Sequence, residues 1–394
     1  MALRHGAVCL KGRPAIARTG DDQRHMERAL KLAERGRGRT RPNPIVGAVL
    51  VRGGRVVGEG WHCAAGEDHA EVVALKLAGL RARGATLYVT LEPCAHRGRT
   101  PPCTEALIAA GVRRCVVALR DPHAIVNGRG LSALRRAGVK VELGLLADEA
   151  RAQLAGYRLA HTVSRPRVVW KIAATLDGGT ADRQGRSRWI TGPEARRAGH
   201  LLRAASDAVL IGAGTALADD PRLTARTGRG TRVERDAPQP LRIVCDTRLR
   251  LPLTLRLFSP SMAAGTVVAC GRRAPLARRR RLEARGVRVW PLAETAAGVA
   301  PAALARRLAA EGCHEVLMES GGVLGASWLG AGLVDRLVLF TAPSILGPSL
   351  RWSERLASRA LDRKIAGSFT SVRRLGADLM LSFDLEGGNV HRAG

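Results

Sequence analysis

The sequence predicts an α/β protein built as two successive domains, and three observations carry that prediction. Short apolar runs of strand length alternate with amphipathic runs of helix length through both halves, the pattern of layered α/β domains. The 394 residues exceed the ~150 of an ordinary domain, and 46% hydrophobic content is enough for more than one core. A helical connector, "ADEARAQLAGYRLAHTVS", separates the halves, and Pro166 opens the second. The expected divisions are 1–20, a disordered or misassigned tail; 21–165, the first domain with its connector; and 166–394, the second domain.

The elements follow in order. "MERALKLAERG" has the apolar period of a helix and stops at Gly36. "IVGAVLVRGGRVVGEGW" reads as a hairpin turning at Gly53-Gly54. "AEVVALKLAG" is a helix ended by Gly79, and "ATLYVTLEPC" a buried strand. "PPCTEALIAAG" is a helix with Pro near its first turn and Gly after its last. "RRCVVALRD", "GLSALRRAG" and "VKVELGLL" add strand, helix and strand. In the second half, "RPRVVWKIAATLDGGTA" gives a strand to about Ala174 and a turn at Asp177-Gly178. "DAVLIGAG", "LRIVCD", "GTVVACG", "VRVWPL", "EVLMESG" and "DRLVLFTAP" are further strands, with helices at "LARRRRLEARG" and "AALARRLAAEG". "RTGRGTRVERDAPQP" reads as a polar surface loop.

Composition narrows the function classes. Aromatics are 3%, so the cores must be Ala, Val, Leu and Ile. No apolar run approaches the ~20 residues of a membrane span, so no membrane partner is expected. The opening segment lacks the apolar stretch and cleavage site of a secretory signal, although the absence of acids before Asp21 is compatible with a transit peptide, and Met26 offers an alternative start. The eight cysteines are scattered, which favours a reducing cytoplasm with metal-bound or core thiols. Net charge is 64 − 34 = +30. Such a field attracts anions, but the arginines are dispersed and few aromatics stand ready to stack on bases. No specific nucleic-acid partner is expected. Runs such as Arg278 to Arg281 read as solvated surface.

One constellation carries chemistry. Zinc lowers the pKa of bound water from ~15.7 to ~7, and three protein ligands leave a position for that water. A carboxylate that is not a ligand then moves protons. Zinc-dependent nucleobase deaminases show this as H-x-E followed by P-C-x-x-C. Here His69-Ala70-Glu71 matches the first half and Pro93-Cys94 begins the second. The second thiol departs from the pattern: eight residues separate Cys94 from Cys103. Thr100-Pro101-Pro102 restarts a helix with Cys103 in its first turn, where a thiolate is favoured. His69, Cys94 and Cys103 are therefore the candidate ligands and Glu71 the proton carrier. Cys63, Cys115 and the later cysteines read as packing residues.

"HAEVVAL", "VTLEPCAHRGRTPPC", "RPNPIVGAVLV" and "NGRGLSALRRAG" together resemble the deaminase half of the bifunctional riboflavin-biosynthesis deaminase/reductases. The long loop ending in "GRTPPC" sets the chain apart from cytidine and tRNA-adenosine deaminases. "KIAATLDGGTA", "SRWITGPEARR", "LLRAASDAVLIGAGTALADDPRLT" and "MESGGVLGASWLGAGLVDRLVLFTAPSILG" extend the resemblance through the second half, to about residue 385. It implies a cytidine-deaminase-like three-layer domain followed by a dihydrofolate-reductase-like α/β domain. It also implies a phosphorylated pyrimidine substrate, a diaminopyrimidinone ribosylamino 5′-phosphate. The ring amino group is removed hydrolytically, and NADPH then reduces the ribosyl group to ribityl. Carried over by position, Ala173, Trp189, Thr215, Asp219, Thr247 and Gly321, Gly322, Val323, Leu324, Gly325, Ala326 and Ser327 line NADPH. Ser187, Arg203, Leu223, Arg226 and Glu319 face the substrate of the second step; the guanidinium forks of Arg203 and Arg226 suit phosphate. Asn43 is a candidate substrate contact, and His96, Arg97 and Arg99 candidate phosphate contacts, in the first. "DPHA" at Asp121 to Ala124 replaces the family's Asp-Pro-Asn-Pro, which leaves His123 without an inherited role.

"MESGGVLGASWL" alone reads as a strand, a Gly321-Gly322 turn, Gly325 and then a helix, and it is not the Rossmann pattern. Two other readings compete: a nucleic-acid deaminase with a basic RNA-binding partner domain, and a single-activity relative with a non-catalytic second domain. A homo-oligomeric state is compatible with the chain.

Overall fold

A computed structural model describes residues 20–97, 101–226 and 238–386. The chain begins with α1 (Gly20–Ala33), the hairpin β1 (Gly47–Arg52) and β2 (Arg55–Trp61), α2 (Ala70–Ala78) and β3 (Thr86–Leu91). Then come α3 (Cys103–Ala109), β4 (Arg114–Leu119), α4 (Arg129–Arg136) and β5 (Lys140–Leu143). The strands form one sheet in the order β2-β1-β3-β4-β5, antiparallel through β2-β1-β3 and parallel beyond. Alternation along the strands splits the core in two. Val49, Val51, Tyr88 and Val116 face Met26, Ala29 and Leu32 of α1. Ala48, Leu50, Leu87, Val89 and Val117 face Ala70, Ala74, Leu107 and Leu134 of α2 to α4. The three layers expected are present. The connector is two helices, α5 (Ala147–Gln153) and α6 (Ala155–Val163), both on the α1 side.

The first helix starts earlier than its apolar pattern predicts. Met26 lies inside α1, fully buried, and Asp22 ahead of it takes both terminal nitrogens of Arg114 at 2.8 and 2.9 Å. That ion pair ties the first turn of α1 to β4. Residues 1–19 lie outside the described residues.

The second half holds β6 (Arg167–Thr175), β7 (Gly179–Ala181), α7 (Pro193–Ala204), β8 (Ala208–Gly212), α8 (Ala213–Asp219), β9 (Leu241–Cys245), the single turn α9 (Pro260–Ala263), β10 (Thr266–Gly271), α10 (Leu276–Glu283) and β11 (Arg288–Leu292). After the small hairpin β12 (Glu294–Thr295) and β13 (Gly298–Val299) come α11 (Pro301–Ala310), β14 (Glu315–Met318), α12 (Gly322–Gly330), β15 (Arg336–Ala342), β16 (Leu350–Arg351), β17 (Gly367–Leu375) and β18 (Asp378–Leu385). Nine strands form one sheet, β11-β10-β9-β8-β14-β6-β15-β18-β17. It is parallel from β11 to β15 and antiparallel at β18 and β17. One face packs Trp170, Ile243 and Val316 on Leu304, Leu308 and Trp328. The other packs Val209, Ile211, Val244 and Val268 on Ala216 and Leu282.

Two parts of this architecture escape the sequence reading. Nothing in it places a helix at α7 or strands after Ala342. Pro193 at the first position of α7 was the available signal, and the alternation in "DLMLSFDL" was the signal for β18. The Arg278 to Arg281 run is only half solvated: Arg278 donates to the Leu249 and Leu251 carbonyls (3.0 and 2.7 Å) and Arg279 to that of Gly271 (3.1 Å). Most of the expected loop "RTGRGTRVERDAPQP", residues 227–237, lies outside the described residues.

Candidate functional site

Three elements converge on the first site. His69 sits immediately before α2 in extended backbone, so α2 begins by turning the next residues inward, and Glu71 in its first turn is 4% exposed. Glu92-Pro93 carries the chain off the end of β3 to Cys94. Cys103 is the first residue of α3. His69 Nδ1 lies 3.2 Å from Cys103 Sγ and 3.6 Å from Cys94 Sγ, and the Cys103 amide points at Cys94 Sγ at 3.4 Å. The three ligand atoms lie within 4.8 Å of one another, the only such group of three among the described residues. The eight-residue interval therefore does not separate the thiols. Two sulfurs and one imidazole are the soft, three-donor set that a catalytic zinc uses, so these residues fit the ion.

The electrostatics suit the chemistry. Burial, reinforced by charge on Cys94, pushes the Glu71 carboxyl up to about 7. A hydrogen bond from Cys103 holds the Cys94 thiol down to about 4, while that same contact and burial drive Cys103 up. His69 is raised by its contact with Cys94.

A cavity of about 420 Å³ opens in front of these groups. Asn43 lines it, with its amide nitrogen donating to His62 Nε2 at 3.0 Å; His62 is set by donating from Nδ1 to the Asp68 carbonyl at 3.1 Å. His96 lines it as well. Arg97 turns away to Glu105 at 3.7 Å and is 82% exposed, and Arg99 lies outside the described residues. Sequence reasoning missed Glu92. Its buried carboxylate accepts four backbone N–H groups, from Asp121, Gly128, Gly130 and Leu131, and so ties the cavity rim to the start of α4. It also missed Tyr157 and His161, which reach the cavity from the connector.

The second site lies along the carboxyl ends of four adjacent parallel strands, the edge where open α/β sheets bind ligands. Ala173 is near the end of β6, Thr215 and Asp219 follow β8 on α8, Thr247 follows β9, and Glu319 and Gly321 follow β14. Residues more than a hundred positions apart are thus brought to one edge. Thr247 Oγ1 already accepts from the Val299 amide at 3.1 Å. Trp189 is 71% exposed, with the Arg196 guanidinium 4.6 Å over its ring. Ser187 is half-buried nearby in sequence.

The substrate-facing set divides. Arg203 Nε and Nη2 fork onto Glu319 at 2.5 and 3.0 Å, and Lys171 Nζ adds a contact at 3.8 Å. Against the opposing effect of desolvation, Arg203 and Lys171 hold the Glu319 carboxyl down to about 2. The Arg203 fork is therefore already filled by protein. Arg226 is the exposed guanidinium; it donates to His200 Nε2 at 2.8 Å, and burial pushes His200 down to about 4, so that it accepts as a neutral ring. Leu223 is 2% exposed, with its side chain in the core.

The glycine-rich turn differs from expectation in one respect. Gly325 is not ahead of the helix but inside α12, buried on Trp170, where a Cβ would lie 1.9 Å from the indole. Gly321 precedes α12 and Leu324 packs into the core. Val323, Ala326 and Ser327 line a separate cavity of about 720 Å³ with Trp352 and Phe383. Within this segment, Gly321 and Gly322 follow the end of β14 most closely.

Residues 19–119 match the cytidine and deoxycytidylate deaminase zinc-binding region, and residues 166–381 match the RibD C-terminal domain. The riboflavin biosynthesis proteins RibD of Aquifex aeolicus and Escherichia coli are 39% and 41% identical to this chain, over 92% and 91% of it and 98% of each of theirs. Among solved structures, Acinetobacter baumannii RibD is similar with a TM-score of 0.84 and 38% identity. A Thermotoga maritima diaminohydroxyphosphoribosylaminopyrimidine deaminase/5-amino-6-(5-phosphoribosylamino)uracil reductase is similar with a TM-score of 0.81 and 31% identity. Each covers 93% of this chain and 99% of its own.

Proposed function

The chain belongs to the RibD family, bifunctional deaminase/reductases of riboflavin biosynthesis, and from that premise we propose how its own residues divide the two reactions. The fold is a cytidine-deaminase-like domain followed by a RibD reductase domain, and the cofactors are zinc and NADPH. We place the boundary between them at Arg165-Pro166.

The substrate of the first step is the diaminopyrimidinone ribosylamino phosphate. His69, Cys94 and Cys103 would hold zinc, which when bound would supply the acidity that makes water a nucleophile near neutral pH. Glu71 takes a proton from the water as it adds to the ring carbon, and delivers it toward the ring nitrogen and the departing amino group. Water is consumed, ammonia leaves, and the ring carbon becomes a carbonyl. Asn43, oriented by His62, binds the pyrimidine. The observation that carries this reading is Glu71, buried and near neutrality, beside three converging ligands.

NADPH, when bound, would supply the hydride that reduces the ribosyl group in the second step. Ala173, Trp189, Thr215, Asp219, Thr247 and the segment from Gly321 to Ser327 are its binding residues in this reading, with the N–H groups at the start of α12 turned to phosphate. Ser187, Leu223 through its backbone, Arg226 and Glu319 meet the substrate. Arg203 acts through Glu319.

The seven described cysteines are all free thiols, which fits a cytoplasmic enzyme. No described helix is long and apolar enough to cross a membrane. The partner is a small molecule and not a nucleic acid. A homo-oligomer would form on the edge strand β17, where Phe369 and Val372 are 64% and 61% exposed. A coupled assay tests the whole reading: purified protein and the diaminopyrimidinone substrate should release ammonia and then oxidise NADPH. Ammonia without NADPH oxidation would leave only a single-activity relative.

A further inference from the structure

The deamination cavity has a second wall that this chemistry does not use. Asp121, after β4, is 5% exposed, and its Oδ1 accepts from the Tyr157 hydroxyl at 3.1 Å and from the His123 amide at 2.8 Å. Tyr157 belongs to the connector helix α6 and is 6% exposed, so the bond is shielded from water. One turn along α6, the His161 ring stands 4.5 Å from the Tyr157 ring and 4.4 Å from that of His123. Tyr157, His161, His123 and Asp121 all line the cavity.

Behind this wall stands a residue of the other domain. His314, just ahead of β14, sets its ring edge-on to Tyr157 at 5.2 Å and 82°, and lies 6.0 Å from His161. Its backbone is fixed in the reductase domain: its amide donates to Asp207 at 2.7 Å and its carbonyl accepts from the Arg167 amide at 2.8 Å. The approach is close, since a Cβ on Gly156 would lie 2.4 Å from the His314 carbonyl oxygen. Burial pushes both His161 and His314 down to about 4, so the two neighbouring rings are neutral at pH 7 and do not repel.

We propose that Tyr157, His161 and His314 are positioning residues for deamination, through which the docked reductase domain holds the Asp121 wall of the deamination cavity in register with the pyrimidine substrate. The inference rests on the deaminase assignment given above. It makes the first active site incomplete without the second domain. The arrangement runs in one line: His314 buttresses Tyr157, Tyr157 aims Asp121, and Asp121 lines the cavity. His161 closes the gap between His314 and His123.

The test is steady-state deamination by the full-length zinc enzyme and three variants. Tyr157→Phe keeps the ring on His314 and removes only the donor to Asp121. We expect the KM for the diaminopyrimidinone substrate to rise about tenfold or more, the scale of a lost hydrogen bond to a charged group, with kcat within about twofold. His314→Ala should raise KM about three- to tenfold through the lost edge-to-face contact, and His314→Phe should restore it by returning a ring. NADPH oxidation with the already deaminated intermediate, and zinc content, should match the parent enzyme in all three. Unchanged KM in Tyr157→Phe and His314→Ala, in a preparation whose parent deaminates, overturns the proposal. So does a fall in kcat alone, which is the mark of a reduced active fraction. Should His314→Ala lose NADPH oxidation through misfolding, the Tyr157→Phe result decides by itself. A parent enzyme that released no ammonia would instead sink the deaminase assignment.

Discussion

Glu71 stands two positions after His69 because the first turn of α2 then points it inward beside the ligand atoms without making it one of them. A carboxyl held near 7 by burial is divided between its two forms at neutral pH, which suits a group that must take and return the same proton. Glu71→Gln keeps the shape and loses the proton. We expect full zinc content, an unchanged thermal midpoint, and deamination lowered by ~10²–10⁴-fold. Near-normal ammonia release would remove the shuttle. The thiols separate in the same way: elemental analysis should find zinc lost from Cys103→Ser and kept in Cys115→Ser, since Cys115 lies on β4, fully buried on the sheet face that packs on α2 to α4. In the reductase, Arg226→Ala should raise the substrate KM by about tenfold or more with the fold unchanged. Arg203→Ala should also lower the melting temperature, because it leaves the largely buried Glu319 carboxylate with only the longer Lys171 contact at 3.8 Å. Equal melting temperatures for the two variants would show that Arg203 is not what keeps Glu319 charged.

Elements are tied together by ion pairs whose pH dependence has a definite sign. Arg114 on β4 bridges Asp22 of α1 and Glu142 of β5, with contacts of 2.8 and 2.7 Å. Hydrogen bonds from Arg114 hold both carboxyls below their ordinary values of 3.8 and 4.5. A depressed folded pKa means that the stabilisation is complete above the unfolded values, ~3.9 and ~4.3, and is lost as pH falls through the folded ones. Arg114→Met should therefore lower the melting temperature at pH 7 and flatten its decline below about pH 5. A parallel decline in both proteins would show that other carboxylates dominate acid unfolding. On α10, Arg278→Ala should destabilise more than Arg280→Ala, because only the former donates to buried-loop carbonyls among the described contacts.

The two halves are joined by more than the connector. Arg165, at its end, forks onto Asp335 at 2.7 and 2.8 Å, and both side chains are almost wholly buried. Asp335 Oδ2 also accepts from the Val168 amide at 2.8 Å, so one carboxylate fixes the start of β6. Breaking such a pair by removing one partner costs about 3–5 kcal/mol. Asp335→Ala should show that loss in denaturant unfolding. A loss under about 1 kcal/mol would mean that water reaches the pair and screens it. The +30 charge acts at this scale as a diffuse field, with pairs such as Arg24–Asp21, Arg151–Asp148 and Arg186–Asp182 local and exposed.

The sequence by itself determined the α/β class, the hairpin at Gly53-Gly54 and the helix stop at Gly79, and it singled out His69, Glu71, Cys94 and Cys103, which the fold brings together; α1 ends at Ala33, ahead of the stop expected at Gly36. Those are local properties: periodicity, turn chemistry, and a short motif whose residues sit within one helix turn or one strand end. Even the extended interval between Cys94 and Cys103 was readable, because Pro101-Pro102 marks the helix that returns the second thiol. Tertiary structure alone decided the rest. It filled the Arg203 fork with Glu319, put Gly325 under Trp170 and buried Leu223, none of which leaves a mark in the neighbouring residues. It also gathered Ala173, Thr215, Thr247 and Gly321 at one sheet edge, and brought His314 behind Tyr157. Contacts between residues more than a hundred positions apart are set by strand order and domain docking, and neither has a period in the chain.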